Sequence, residues 1–164
     1  MKIAVEKLTP ELFAELRPLG QESWDECSEI KKDTCSFHGE RGFKIEPHEA
    51  QYLMHAENDS LLAFVLRDDE GAVQGYSLAI LYHSLHHAPV ICANVDTFYL
   101  RPAVRIRIRS FIALMEEHFE ERGVVVVGWP VSPSGGLFGV LKALGYAPDD
   151  VVMEKRICAL QQPQ

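Results

Sequence analysis

Residues 90–129 read VICANVDTFYLRPAVRIRIRSFIALMEEHFEERGVVVVGW. The opening 90–100 is rich in β-branched and aromatic residues and reads as a strand, ended by Arg101-Pro102. Over 109–122, Phe111, Ile112, Met115 and Phe119 form an apolar stripe. Glu116, Glu117, Glu120 and Glu121 lie mainly on the opposite side, so the segment predicts an amphipathic helix. Gly123 suits the left-handed residue that ends such a helix. The almost wholly apolar 124–129 predicts a central strand covered on both faces, of the parallel kind. Strand, helix and strand in this order make a β-α-β unit.

Toward the N-terminus, 60–67 (SLLAFVLR) and 72–82 (AVQGYSLAILY) are apolar runs joined by the turn signal Asp68-Asp69-Glu70-Gly71. They predict a β-hairpin. A loop with His83, His86 and His87 leads from it into the strand 90–100. Residues 2–8 predict a first strand. Thr9 suits an N-cap and Pro10 a first helical residue. The helix from 10 places Leu12, Phe13 and Leu16 together, and Pro18 and Gly20 predict its end at 17. A second, acidic helix is expected over 21–33, with Trp24, Cys27 and Ile30 on a stripe. A loop follows at 34–46, then a third helix at 47–57. Beyond 129, the loop PVSPSGG precedes a helix at 137–144, and a last strand is expected over 150–158.

The fold class expected is therefore α/β: a mixed, mostly antiparallel sheet flanked by helices. The chain reads as one domain, 1–164, with a helical N-terminal part (1–59) and a sheet part (60–158). Its 164 residues are enough for a real core.

Charge is unevenly placed. Residues 1–70 hold 16 acids and 8 bases, a balance of −8, and 71–164 hold 8 of each. Residues 101–109 carry four arginines and no acid, so the remaining 155 residues carry −12. A wide nucleic-acid interface needs a broad positive surface and is disfavoured. One anion site, such as a phosphate site, is compatible with the pattern. No run approaches the ~18 apolar residues of a membrane span. The charged start MKIAVEKLTP does not read as a signal peptide, so the expected location is cytoplasmic. Cys27, Cys35, Cys92 and Cys158 form no C-x-x-C pair and are expected to be reduced thiols. His83-x-x-His86-His87 lacks further ligands, so no metal is expected.

Three features, in order, resemble the GNAT superfamily of acetyl-CoA-dependent N-acyltransferases, most closely its phage- and prophage-type branch. The first is Asp96-Thr-Phe-Tyr-Leu-Arg-Pro-Ala-Val-Arg105 followed by a helix. The second is the apolar strand after Gly123. The third is Leu141-Lys-Ala-Leu-Gly-Tyr146 followed by a strand near Met153-Glu-Lys155. The resemblance spans about 60–158. It implies a GNAT-like fold, acetyl-CoA as co-substrate, and a small-molecule or protein amine as acceptor. It is also compatible with a homodimer.

The resemblance implies that the pyrophosphate of coenzyme A lies at the N-terminus of the helix after Arg105, where unpaired N–H groups and the helix dipole attract anions. The family pattern there is Arg/Gln-x-x-Gly-x-Gly/Ala. This chain has Arg105-Ile-Arg-Ile-Arg-Ser110, with Ile108 in place of the first glycine and Ser110 at the small position. Arg107 and Arg109 can add charge-assisted contacts. Read alone, 104–109 alternates with period two and fits a half-buried strand bearing an arginine ladder.

The resemblance further assigns Phe98, Tyr99 and Leu100 to the strand whose backbone meets the pantetheine arm and acyl carbonyl. It places Ser132 and Ser134 in a loop beside that arm. Acyl transfer to an amine needs a base and oxyanion stabilisation. Asp96 is the best-placed carboxylate and His83 a second candidate. The tyrosine that many relatives place four residues before the Leu-Gly-Phe glycine is Leu141 here. The acidic helix around Asp25, Glu26 and Glu29 is expected to face a basic acceptor. Two functions follow: N-acetyl transfer, or a catalytically degenerate GNAT-fold module that binds a ligand or protein.

Overall fold

The computed structural model describes residues 1–31 and 45–148. Five strands form one sheet in the order β1 (Lys2–Glu6), β2 (Leu61–Arg67), β3 (Val73–His83), β4 (Ile91–Leu100), β5 (Val124–Gly128). Neighbours are antiparallel except β4 and β5, which are parallel. Helices α1 (Pro10–Lys31) and α2 (Glu49–Glu57) cover one face, packing on Ala63, Val65, Tyr76, Leu78 and Tyr99. Helix α3 (Ile108–Glu121) covers the other, with Phe111, Met115 and Phe119 against Phe64, Ala79, Ala93 and Val95. Helix α4 (Gly136–Ala143) follows β5. The predicted mixed sheet, flanked by helices, is what forms.

The β2–β3 hairpin closes as the turn residues predict. Asp68 accepts from the backbone N–H groups of Glu70 and Ala72, and Gly71 takes a φ of 89°. Gly75 is required for a different reason. A Cβ there would lie 2.3 Å from Leu100 Cδ2 and 2.9 Å from the Tyr99 carbonyl oxygen. At the sheet's first edge, Arg67 donates through Nε and Nη2 to both carboxylate oxygens of Glu6. These bonds hold the Glu6 carboxyl below its usual range although burial pushes the other way.

Two expectations change. The predicted break at Pro18 does not occur, and α1 runs unbroken from Pro10 to Lys31. Leu12, Phe13, Leu16 and Leu19 are all buried in the sheet-facing core, so ending the helix at 17 would withdraw Leu19. Pro18 and Ala14 face solvent, where water can satisfy the Ala14 carbonyl that proline leaves unpaired. Gly20 lies 3.3 Å, measured from an added Cβ, from the Tyr76 hydroxyl, so it marks close approach rather than a helix end. Pro18→Ala restores one helical hydrogen bond and is expected to raise the unfolding free energy by up to ~3 kcal/mol. Urea denaturation showing no gain would contradict this.

The second concerns β5. Among the described residues it pairs only with β4 and is the last strand of the sheet. Val125 and Val126 are 69% and 54% exposed rather than covered on both faces. The strand expected at 150–158 lies outside the described residues, as do Cys35 and Cys158. Cys27 and Cys92 are free thiols.

The other helix ends follow their sequence signals. Thr9 Oγ1 accepts from the Leu12 N–H at 3.3 Å. Gly123, after α3, has a φ of 69°. At Leu144-Gly145-Tyr146, the Tyr146 N–H bonds the Leu141 carbonyl and the Gly145 N–H bonds that of Lys142, with Gly145 at φ 95°. This is a Schellman closure.

Candidate active site

Strand β4 departs from regularity at one residue. Leu78 pairs with Thr97 and Ala79 with Val95, which leaves Asp96 as the extra residue of a β-bulge. A bulge shifts the alternation of side chains. Val95 therefore belongs to the α3-side core, whereas Tyr99, four residues on, belongs to the α1-side core. Asp96 is turned toward α2, where its Oδ2 accepts a 2.5 Å hydrogen bond from the Tyr52 hydroxyl.

A cleft of about 200 Å³ opens here, lined by Pro47, His48, Gln51, Tyr52, His55, Ile80 and Asp96. Burial, reinforced by the adjoining Asp96 carboxylate, drives the Tyr52 phenol well above its ordinary pKa. Tyr52 thus stays a hydrogen-bond donor. Its ring packs against Phe13 of α1, with centroids 5.7 Å apart. Arg17 of α1 also holds Glu49 of α2 at 2.7 Å. Sequence reading missed His48, Gln51, Tyr52 and His55. Their spacing of 0, 3, 4 and 7 residues was the available signal, because it puts them on one helical face.

The opposite edge of β4 is open. Pairing with β5 runs from Ile91↔Val124 to Asn94↔Gly128 and stops. Over 95–100, β4 keeps β3 on one side and has no strand on the other among the described residues. Phe98 stacks edge-on with Phe111 and with Trp129, both at 5.5 Å. Trp129 in turn meets Tyr146 at 6.0 Å. The Tyr146 hydroxyl donates to Glu116 at 2.8 Å, and burial drives its pKa up to about 12. Among the described residues, buried Thr97 Oγ1 and Trp129 Nε1 interact with the Tyr76 and Tyr146 hydroxyls respectively, though in poor hydrogen-bonding geometry, and the Tyr146 proton goes to Glu116. Tyr99 and Leu100 place their side chains in the core, and the Leu100 carbonyl accepts from Arg105 Nε at 3.1 Å.

The arginine run is helical, not an extended ladder. Residues Pro102–Arg107 form a 3₁₀ helix that passes directly into α3. Ile108 is partly buried against the α3-side core, so the branched side chain is directed away from solvent. The Ile108 N–H bonds the Arg105 carbonyl, which removes one donor from any anion at this end. Two of the four arginines are already paired with α1. Arg101 forks onto Glu22 at 2.8 and 3.0 Å, and Arg105 Nη2 reaches Glu26 at 2.5 Å. That fork holds the Glu22 carboxyl below its usual range. Of the acids expected to face an acceptor, Glu26 is thus tied to Arg105, and the neighbouring Glu22 is tied to Arg101. Arg107, Arg109 and Ser110 are exposed, and among the described residues the two arginines make no ion pair.

The remaining expected residues lie apart from this geometry. His83 ends β3 opposite Ile91, with Nδ1 3.1 Å from the Ala88 carbonyl. It is four residues along β3 from Ala79, the partner of Val95, or roughly 13 Å from the bulge at strand rise. Ser132 and Ser134 bond each other at 2.9 Å. Among the described residues no cluster of His, Cys, Asp or Glu could hold a metal, and no helix is long and apolar enough to cross a membrane.

No protein-family model matches the chain, and no curated protein sequence matches it significantly. Solved structures do. A tetramutant of the BH1408 protein from Bacillus halodurans superimposes with a TM-score of 0.75 at 13% identity, covering 96% of this chain and 100% of that one. The ribosomal-protein-alanine N-acetyltransferase from Brucella melitensis biovar Abortus 2308 gives 0.63 at 16%, with the same coverage. The aminoglycoside N-acetyltransferase AAC(6')-Iy, in complex with CoA, gives 0.64 at 16%, again over 96% and 100%. With its mixed sheet, parted β4 and β5, and helices on both faces, the chain has the fold of the GNAT acyl-CoA N-acyltransferases.

Proposed function

We propose that this protein transfers an acetyl group from acetyl-CoA to the amino group of an acceptor. The observation that carries the proposal is the parting of β4 from β5 after Asn94 and Gly128. Among the described residues it leaves a strand edge without a partner from the bulge at Asp96 to the joint before α3. The acetyltransferase names of the CoA-bound and ribosomal-protein neighbours support the same chemistry.

The residues fit such a co-substrate. The β4 edge over 95–98 can pair with the amides of an extended pantetheine arm, and the Trp129 ring lies against Phe98 on that side. Arg107, Arg109 and Ser110 are the exposed groups at the α3 N-terminus, where helix dipole and charge both favour phosphate. Arg105 joins them only by leaving Glu26. On the other side of β4, Asp96 receives the acceptor's ammonium group, with Tyr52 fixing one carboxylate oxygen. Acetyl-CoA supplies the thioester carbonyl, and the amine nitrogen attacks it as the C–S bond breaks. A cytoplasmic site of action goes with this co-substrate, and the order of the sequence motifs is what supports kinship with the phage- and prophage-type branch.

The alternative, a GNAT-fold module that binds without catalysis, is favoured by the Arg105–Glu26 pair and by the bonded Ile108 N–H. Thermal unfolding tests the co-substrate half of the proposal. Acetyl-CoA at 100 times its Kd should stabilise the protein by roughly 2.7 kcal/mol. Arg107→Ala combined with Arg109→Ala should raise that Kd about tenfold, the equivalent of ~1.4 kcal/mol. No shift at millimolar acetyl-CoA would remove the acetyl-CoA reading, and an unchanged Kd in the double variant would move the phosphate site elsewhere.

A further inference from the structure

We infer that His55 is the base that takes the proton from the acceptor amine, through an Nε2 lone pair that its surroundings hold open toward the Asp96 cleft. The inference rests on the acetyl-transfer reading and adds to it the identity of the proton acceptor. Neither Asp96 nor His83, the two candidates that sequence suggests, fills that role.

A neutral imidazole carries one N–H and one lone pair, and the bond made by one nitrogen fixes the state of the other. His55 Nδ1 lies 2.9 Å from Ser60 Oγ, and Ser60 Oγ lies 3.1 Å from the His55 carbonyl oxygen. The serine has a single proton. Directed to the His55 carbonyl, which also accepts the Ser60 N–H at 2.9 Å, it leaves Oγ as an acceptor for an Nδ1–H. The opposite assignment sets two lone-pair oxygens face to face. With Nδ1 protonated, Nε2 is an acceptor with no hydrogen-bond partner among the described residues, on a ring that lines the cleft.

His48 lines the same cleft but is wired the other way. As the N-cap of α2 it accepts the Gln51 N–H at Nδ1, 3.3 Å away, so its hydrogen sits on Nε2. It presents a donor and cannot take a proton while that cap persists. His83 lacks access, lying at the far end of β3.

The cleft thus offers two acceptors, the Asp96 carboxylate and one imidazole lone pair, while the Tyr52 proton is given to Asp96. Those acceptors suit a primary aliphatic ammonium group, which has donors only. Asp96 binds the cation, and an imidazole is a stronger base than a carboxylate by ~2–3 pK units, which makes it the better acceptor for an amine proton. One ammonium proton passes to His55 Nε2 and on to water. The freed nitrogen lone pair forms the C–N bond, the C–S bond breaks, and the second nitrogen proton ends on the departing sulfur. The products are the acetamide and the CoA thiol.

Titratable groups around His55 are His48 and Tyr52 on its own helix and Asp96 on β4. Asp59, in the turn before Ser60, is bound by Arg122 at 2.8 Å, and β3 contributes Ile80, which carries no charge.

The test uses the full chain and two readouts. Long-range ¹⁵N–¹H spectra of the free protein should show His55 protonated at Nδ1 and His48 at Nε2. An Nε2–H His55 overturns the inference without touching the acetyl-transfer reading. With acetyl-CoA and n-butylamine, His55→Asn keeps an amide donor near Ser60 but has no base. It should lower kcat/KM by about 10²–10⁴-fold and leave only the rise set by the amine's own deprotonation, with the Kd of acetyl-CoA unchanged. His48→Asn should keep the imidazole-dependent rise. A His55→Asn profile superimposable on wild type overturns the assignment alone. A wild type that binds acetyl-CoA but acetylates no amine overturns both.

Discussion

Asp96→Asn should lower kcat/KM for amine acetylation about a hundredfold, a loss of ~2.7 kcal/mol in transition-state stabilisation, while leaving the affinity for acetyl-CoA intact. The size follows from the interaction removed. Hydrogen bonds to charged groups contribute ~1.5–3 kcal/mol, and this carboxylate, though exposed, lines the cleft and holds the Tyr52 hydroxyl. The asparagine keeps the shape and can still accept from Tyr52, so the loss reports charge rather than packing. The split between acceptor and co-substrate has a structural basis: Asp96 turns toward α2, away from the Phe98–Trp129 side of β4. Steady-state kinetics with both substrates varied measures it. Unchanged kcat/KM would remove Asp96 from the acceptor site.

Phe111→Ala should cost the fold about 3–5 kcal/mol. Phe111 is fully buried at the start of α3 and meets Phe98 edge-on at 5.5 Å. It joins the helix carrying the arginines to the strand carrying the bulge. Domains of this size are stable by only ~5–15 kcal/mol, so the loss takes a large share of the total. It should lower the urea midpoint with little change in slope. A cost below ~1 kcal/mol would mean that α3 is held chiefly elsewhere, and the packing account of the joint would fail.

The hairpin, the helix ends and the β-α-β order are legible because each rests on local chemistry: Asp68 and Gly71 in a turn, Thr9 at a cap, Gly123 and Gly145 at left-handed positions. Helix α1 is not legible past Pro18, since proline argues for a stop and only the buried Leu19 overrules it. The valines of 124–128 read as doubly covered, yet burial depends on neighbouring strands that hydropathy does not specify. At the site, Asp96 stood out as a carboxylate in an apolar strand, but the bulge that aims it is a register event between β3 and β4. His55 was hidden because its importance lies in Ser60 and in the cleft, neither of which α2 encodes. The charge pattern is half legible in the sequence. The arginines do cluster at the α3 joint, and two of them are neutralised by Glu22 and Glu26, carboxylates about 79 positions earlier.

The central claim is amine acetylation from acetyl-CoA, and the most direct measurement is amine-dependent release of CoA thiol. Purified protein with saturating acetyl-CoA would be offered n-butylamine, an alanine-initiated peptide and an aminoglycoside, with mass spectrometry of each acceptor. The account predicts thiol release that depends on one or more of these amines and matches the acetylated product one for one. Saturable acetyl-CoA binding with no thiol release and no acetylated acceptor would contradict it and leave a binding module in its place.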